Sequence, residues 1–119
     1  MALRNWVLIG AVAFGAWQWQ HMSSRPDDAS DEQLRQLAAS IKQGEVTIYT
    51  TTHCPYCAQA KSWMTQYGFT YTECDTEVSA TCASELSALG GNGVPYLVVR
   101  GHHMRDGFDS DEFVAALRT

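Results

Sequence analysis

The chain has 119 residues, of which 45% are hydrophobic and four are tryptophan, enough for one small domain with a packed core plus an extension. The net charge is −5 and the eight basic residues are scattered singly, which argues against a nucleic-acid-binding surface. Four cysteines fit either a redox enzyme or a small oxidised domain, and composition does not separate the two.

An apolar segment comes first in the chain. Arg4 precedes an unbroken apolar run, Trp6 to Trp17. As a helix this run rises about 18 Å, and about 25 Å if counted from Leu3 to Trp19, against a hydrocarbon core of about 30 Å. A positive residue followed by a short apolar run and then a polar stretch is also typical of a secretory signal. We predict that residues 1–20 form a hydrophobic helix that acts as a membrane anchor or a cleaved signal, with a soluble or interfacial helix as the alternative.

Both a membrane anchor and a cleaved signal would direct the rest of the chain out of the cytoplasm. Arg4 would then stay on the cytoplasmic side, and the domain would lie in an oxidising compartment where disulfides persist. We therefore expect an inner-membrane-anchored or periplasmic protein that contacts the membrane through its amino-terminal segment. A cytoplasmic location is the alternative.

Residues 21–43 are predicted to form a linker and then an amphipathic helix. The linker contains serine, proline and an acidic pair, and Ser30 with Gln33 forms a capping-box pattern at the helix start. Apolar residues follow at helical spacing up to Gly44, namely Leu34, Leu37, Ala38 and Ile41. We expect this helix to pack on the following domain or to space it from the membrane, rather than to dock a partner.

A pair of cysteines follows the first predicted strand. Glu45–Thr50 alternates and is β-branched, as in a buried strand, and a helix pattern that ends at Gly68 begins at the cysteines. The first amides of a helix have no partner within it and carry the positive end of its dipole, which favours a thiolate. We therefore predict Cys54 as the nucleophile and Cys57 as the resolving thiol.

A zinc site and an inert structural disulfide are the competing interpretations of this pair. Zinc normally has four ligands, in two closely spaced groups. The other cysteines, Cys74 and Cys82, lack that spacing, and His102 and His103 are adjacent to each other. We therefore expect redox chemistry at the pair and no metal site.

The second half of the chain predicts further alternating elements. These are a strand at Phe69–Glu73, a helix with Val78, Cys82, Leu86 and Leu89 at helical spacing, strands at Tyr96–Arg100 and His103–Arg105, and a helix at Ser110–Leu117 capped by Asp109 or Ser110. Cys74 and Cys82 are close enough in sequence to pair. A structural disulfide, a second redox relay and two unpaired buried thiols all remain open.

Three motifs together resemble the dithiol glutaredoxin family. They are Cys54-Pro55-Tyr56-Cys57 after Val46–Thr50, then Gly93–Val99, then Gly107-Phe108-Asp109. The resemblance covers residues 44–119. With the order of the predicted elements, it implies an α/β thioredoxin fold, in which helices flank a four-stranded mixed sheet of strand order 2-1-3-4.

The resemblance also implies a substrate site. Tyr56 would lie along a tripeptide thiol, Pro95 would be cis beside the cysteines, and Val94 would pair its backbone with the substrate. In glutaredoxins, the segment that corresponds to Gly107, Phe108 and Asp109 binds the γ-glutamyl carboxylate of glutathione.

The implied function is that of a thiol–disulfide oxidoreductase. It would act as a monomer on disulfide-containing proteins or glutathione mixed disulfides, with glutathione as co-substrate and without a metal. The alternatives are a thioredoxin-like protein that never uses glutathione, and a module that holds an iron–sulfur cluster between two chains.

Overall fold

A computed structural model describes residues 30–118 of the chain. The predicted hydrophobic helix of residues 1–20 and the linker up to residue 29 lie outside the described residues. Among residues 30–118, no helix combines the length and the apolar character that crossing a membrane requires. The elements, in chain order, are α1 (Asp31–Ala39), β1 (Val46–Thr50), α2 (Pro55–Tyr67), β2 (Thr72–Asp75), α3 (Ala80–Ala88), β3 (Tyr96–Val99), β4 (His102–Met104) and α4 (Ser110–Leu117).

The four strands form one mixed sheet in the order β2-β1-β3-β4. Strand β1 runs parallel to β2 and antiparallel to β3, and β3 runs antiparallel to β4. The parallel pair needs a crossover connection, which α2 supplies, whereas β3 and β4 are joined by a tight turn. The predicted thioredoxin-like fold and its strand order are confirmed.

The two central strands supply much of the buried core. Val46, Ile48, Leu97 and Val99 are all 0% exposed, as expected for strands with neighbours on both edges. Helices cover the sheet, and Met64 of α2 and Phe113 of α4 are also 0% exposed. The core therefore fixes β1, and with it the point where α2 begins.

Helix α1 packs against α2. Leu34 and Ala38 face inward and are buried, and Ile41 is buried in the turn that follows the helix. The hydroxyl of Tyr67, at the end of α2, donates to Asp31 Oδ1 at 3.4 Å. The apolar spacing therefore marks a face that packs on the rest of the domain, although α1 ends at Ala39 rather than near Gly44.

Strand β2 begins three residues later than the sequence pattern predicts. Gly68 has a left-handed φ of 82° and ends α2, and the Phe69 N–H donates to the Met64 carbonyl at 2.9 Å. This arrangement is a glycine-based helix cap in which the next residue folds back on the helix. Phe69 is 3% exposed and so belongs to the helix cap and core rather than to the strand.

Candidate active site

The two motif cysteines lie at the start of α2, as predicted. Cys54 is the N-cap residue with an extended backbone, and Pro55 occupies the first turn, where its missing N–H costs no hydrogen bond. The structure pairs Cys54 and Cys57 in a disulfide with a Cα–Cα distance of 5.2 Å. Cys54 is half-buried, whereas Cys57 is 0% exposed. Only the first sulfur is therefore open to an incoming substrate.

The helix backbone also contacts the exposed sulfur. The N–H of Cys57 donates to Cys54 Sγ at 3.1 Å. A thiolate is a stronger acceptor than a thiol or a disulfide sulfur, so in the reduced protein this N–H stabilises a charged Cys54. The geometry thus distinguishes the two cysteines: one sulfur accepts a backbone hydrogen bond at the surface, and the other is enclosed.

Hydrogen bonds fix the segment that enters the motif. The Thr50 carbonyl accepts from the Thr76 N–H at 2.8 Å, and the Thr52 hydroxyl donates to Asp75 Oδ2 at 3.1 Å. Both bonds tie the end of β1 to the end of β2. They hold the chain in place just before Cys54.

A second tie involves a buried hydroxyl. Thr50 is 0% exposed, and its hydroxyl donates to Glu73 Oε2 at 2.9 Å. The same carboxylate accepts from Lys61 Nζ of α2 at 2.7 Å, and this hydrogen bond raises the pKa of Lys61. Glu73 therefore links β1, β2 and α2 below the dithiol.

The Val94–Pro95 peptide bond is cis, as the resemblance implies. Pro95 is buried, and the carbonyl of Val94 lies 4.0 Å from Cys54 Sγ. The backbone just before β3 is therefore directly beside the reactive sulfur. A substrate segment bound to that sulfur would meet the backbone of Val94.

A groove of about 820 Å³ begins beside the motif. All six residues predicted to contact substrate line it, namely Tyr56, Val94, Pro95, Gly107, Phe108 and Asp109. Tyr56 is 72% exposed, which is unusual for so large an aromatic side chain in this domain. The structure brings the six residues together from three separate parts of the chain. Their roles in substrate binding stay predictions.

Seven further residues that the sequence did not single out as site residues also line the groove. They are Gln59, Ala60, Trp63, Gly93, Arg105, Asp106 and Ser110. Trp63 shows why: its helical spacing predicts a core residue, and it does stack on buried Phe69 with a centroid distance of 5.4 Å. It is only half-buried, however, and it also contacts Phe108 of the groove. No local sequence pattern predicts that Trp63 and Phe108 are in contact.

A second disulfide joins Cys74 of β2 to Cys82 of α3, with a Cα–Cα distance of 5.4 Å. Nearby, the Tyr49 hydroxyl donates to Glu85 Oε2 at 3.1 Å. Burial of the phenol, together with this carboxylate, raises the pKa of Tyr49. Neither cysteine lines the groove.

The histidines of β4 take part in structural contacts. His102 Nε2 lies 3.1 Å from Glu112 Oε1, and His103 Nδ1 lies 2.7 Å from the Tyr96 hydroxyl. Within residues 30–118, no group of three or more histidine, cysteine or acidic side chains is arranged to hold a metal ion.

The fold and the site together define a class: a thioredoxin-fold protein with a Cys-x-x-Cys dithiol at the start of a helix. Comparison with known proteins narrows this class, because residues 46–104 match the family model described as Glutaredoxin. Residues 46–104 therefore form a glutaredoxin domain with a thioredoxin fold, in agreement with the resemblance found in the sequence. Its Cys54–Cys57 pair is consistent with a thiol–disulfide oxidoreductase.

Individual relatives agree with this assignment. The hybrid peroxiredoxin hyPrx5 of Haemophilus influenzae is 29% identical over 87 residues, which cover 72% of this chain but only 36% of the relative's length. The chloroplastic glutaredoxin-C4 of Oryza sativa subsp. japonica is 28% identical over 102 residues, covering 76% of this chain and 77% of the relative. The crystal structure of a buckwheat glutaredoxin–glutathione complex shares the fold, with a TM-score of 0.52, 23% identity, and coverage of 74% of this chain and 86% of that one.

Proposed function

We propose that the protein is a monomeric glutaredoxin-type thiol–disulfide oxidoreductase, in which Cys54 is the nucleophile and Cys57 the resolving thiol. The observation that carries this proposal is the contrast between the two sulfurs. Cys54 is accessible and accepts the Cys57 N–H, whereas Cys57 is fully buried behind it. An accessible, hydrogen-bonded thiolate attacks an external disulfide, and an enclosed thiol can reach only the sulfur next to it.

The reaction proceeds through two exchanges. The Cys54 thiolate attacks one sulfur of a substrate disulfide, forms a mixed disulfide and expels the other sulfur as a thiolate, which takes up a proton. Cys57 then loses its proton and attacks Cys54, which forms the Cys54–Cys57 disulfide and releases the second substrate thiol. Two electrons thus pass from the enzyme dithiol to the substrate. Operated in reverse, the same steps make the enzyme an oxidant.

We further propose that glutathione regenerates the dithiol. Two glutathione molecules would reduce the Cys54–Cys57 disulfide and leave as glutathione disulfide, which balances the two electrons. The proposal is supported by the family match and by the similar fold of the buckwheat glutaredoxin that was crystallised with glutathione. In this chain, the Val94 backbone and the segment at Gly107, Phe108 and Asp109 would receive the tripeptide.

Single cysteine variants test the assigned roles. Cys54→Ser and Cys57→Ser are assayed in parallel with glutathione and a protein disulfide, and Cys74→Ser/Cys82→Ser serves as the matched control. We expect Cys54→Ser to lose activity, Cys57→Ser to accumulate a mixed disulfide visible by mass spectrometry, and the control to remain active. Equal and mild effects of the two motif substitutions would contradict the proposal.

The choice of reductant separates the two enzyme candidates. The proposed enzyme reduces a glutathione mixed disulfide when glutathione is the only reductant. A thioredoxin-like protein that does not use glutathione would instead reduce insulin disulfides with dithiothreitol and stay inactive with glutathione. A brown dimer that absorbs visible light would favour the cluster-binding alternative, and a colourless monomer that turns over small disulfides would contradict it.

We also propose that the catalytic domain is exported and that residues 1–20 anchor it to the inner membrane. The apolar run after Arg4 and the presence of the Cys74–Cys82 disulfide support this location, because disulfides persist in oxidising compartments. Alkaline phosphatase fused after Thr119 should be active in an export-competent bacterium. An inactive fusion of normal abundance would contradict export.

A further inference from the structure

Two aromatic residues, Trp63 and Phe108, form an apolar surface inside the groove, which we call the aromatic shelf. Their ring centroids are 5.4 Å apart, and both side chains are half-buried. Buried rings support them from below, because Trp63 stacks on Phe69 at 5.4 Å and Phe108 contacts Phe113 at 5.7 Å. The shelf is therefore held in position before any ligand arrives, which lowers the entropic cost of binding.

The rim of the shelf is acidic. Asp106 and Asp109 both line the groove and are exposed, and neither takes part in an ion pair within the described part of the chain. The carboxylate of Asp109 accepts from the Asp111 N–H at 3.2 Å as the cap of α4, whereas Asp106 precedes that helix and lines the groove without a capping role.

The cations nearest to the site are held by other groups of the protein. Arg105 donates from Nη1 to the Leu89 carbonyl at 3.0 Å, and its guanidinium carbon lies 5.7 Å from the centre of the Tyr96 ring. Lys61 is paired with Glu73 at 2.7 Å. The three residues that precede His53 are all threonine. Arg105 keeps its positive charge in these contacts, so the described lining of the groove carries two carboxylates, Asp106 and Asp109, against one guanidinium.

We propose that this groove binds an extended segment of a disulfide-bearing protein, with an apolar side chain on the aromatic shelf and a basic side chain beside Asp106. The inference rests on the proposed function and specifies its substrate class. Val94 and the shelf line the same groove, so a substrate with its cysteine at Cys54 and its backbone beside Val94 would place a neighbouring side chain in that groove. Glutathione has a net negative charge and no apolar side chain, so it gains neither the apolar contact with the shelf nor the charge pair with Asp106.

The size of the effect follows from the two features. Filling an apolar subsite changes specificity by about tenfold or more, because an apolar side chain leaves water when it reaches the shelf. A single exposed charge pair contributes less, about threefold, and salt weakens it. The shelf should therefore dominate, and the acidic rim should add a salt-sensitive preference.

The test uses full-length protein and four synthetic peptides, each joined through its one cysteine to 2-mercaptoethanol. The peptides carry phenylalanine or alanine on one side of the cysteine and lysine or glutamate on the other. Hydroxyethyl disulfide, which has no side chains, is the reference substrate, and glutathione is the reductant. We expect kcat/KM to be about tenfold higher for phenylalanine than for alanine and about threefold higher for lysine than for glutamate at low salt.

Groove variants assign these preferences to residues. Phe108→Ala should reduce the phenylalanine preference, and Phe108→Leu should restore most of it. Asp106→Asn should remove the lysine preference and its salt dependence while the phenylalanine preference remains. Val78→Ala and Glu77→Gln remove an exposed apolar side chain and an exposed charge outside the groove, so both should behave like the wild type.

The outcomes distinguish this inference from the function on which it rests. If the wild type does not reduce hydroxyethyl disulfide, the proposed function itself fails. If it reduces hydroxyethyl disulfide and turns over all four peptides equally, only the substrate class is wrong. Preferences that persist in both Phe108→Ala and Asp106→Asn would also overturn the assignment to this groove. Because Asp106 is exposed, its variant gives a clear answer even if Phe108→Ala does not fold.

Discussion

The two disulfides of this domain lie near the carboxyl ends of the parallel strands β1 and β2 but in different surroundings. Cys54 follows the end of β1, and Cys74 lies opposite Tyr49 at the end of the parallel strand β2. Helix α2 begins directly after Cys54 of the first disulfide, and its residues Cys57, Ala60 and Met64 are buried. Helix α3, which the second disulfide attaches, has no fully buried residue.

This difference shows how the same bond can serve two purposes. Helix α2 is held by its own buried face, so its disulfide can open without loss of the fold. Helix α3 has little burial of its own, so its disulfide is a main attachment to the sheet. We therefore expect the Cys54–Cys57 bond to be the one that reacts and the Cys74–Cys82 bond to act as a structural restraint. Four predictions test this contrast.

Removal of the second disulfide should have the largest effect on stability. The short loop that it closes predicts that Cys74→Ala/Cys82→Ala lowers the free energy of unfolding by about 2–3 kcal/mol. For a domain of this size, the melting temperature should fall by about 10 °C or more. Hydrogen exchange should show α3 losing protection before the rest of the domain.

The matched control is Cys54→Ala/Cys57→Ala. Its smaller loop predicts a loss of only about 1–2 kcal/mol, with α2 still protected from exchange. If the two double variants lose the same stability, or if α3 stays protected without its disulfide, the contrast between the helices is wrong.

Alkylation of the fully reduced protein should separate the cysteines by reactivity. Cys54 accepts a helix N–H, so we expect its pKa to lie below that of an ordinary thiol. At pH 6, iodoacetamide should modify Cys54 about tenfold faster than Cys74, since its larger thiolate fraction outweighs its lower intrinsic nucleophilicity. Peptide mass spectrometry measures both rates, and equal rates would remove the basis for assigning Cys54 as nucleophile.

The sequence predicts the dithiol and the sheet better than it predicts the groove. Local patterns identify α2 and α4, because each has its own cap and its own apolar face. They miss the start of β2, since Phe69 alternates like a strand residue but is drawn into the core by the cap at Gly68. Trp63 and Phe108 are far apart in sequence, and only the tertiary packing shows that they form one surface.

A third prediction concerns Glu73, whose carboxylate accepts hydrogen bonds from Thr50 and Lys61. Glu73→Ala leaves the buried Thr50 hydroxyl without its carboxylate partner and should lower stability by about 1 kcal/mol. The hydrogen bond to Glu73 raises the pKa of Lys61, so this part of the stability is present at neutral pH and is lost as the pH rises through that raised pKa. The difference between wild type and variant should therefore narrow at strongly alkaline pH.

Chemical denaturation at several pH values measures this difference. Glu77→Gln is the control, because Glu77 is an exposed acid on the loop between β2 and α3. A constant difference from neutral to alkaline pH would show that the Lys61 pair adds nothing to stability.

The smallest effect on stability is expected at Glu45, which lies at the opposite end of β1 from the cysteines. Its carboxylate accepts from the Lys42 N–H at 2.7 Å and from Arg100 Nε, and the backbone hydrogen bond is the main cause of its lowered pKa. A lowered pKa in the folded state contributes stability that is present at neutral pH and is lost as the pH falls through that pKa. Glu45→Gln should thus be slightly less stable than the wild type at pH 7 and should match it in strong acid.

The Glu45→Gln substitution should leave the dithiol unaffected, because Glu45 lies just before β1 and the cysteines follow the end of that strand. We therefore expect Glu45→Gln to retain wild-type alkylation of Cys54 while its thermal unfolding becomes less dependent on pH. A change in Cys54 reactivity would mean that β1 transmits strain along its length. In that case the reactivity of the active-site disulfide would depend on a contact at the other end of β1, and the contrast between the two disulfides would be weaker than their surroundings indicate.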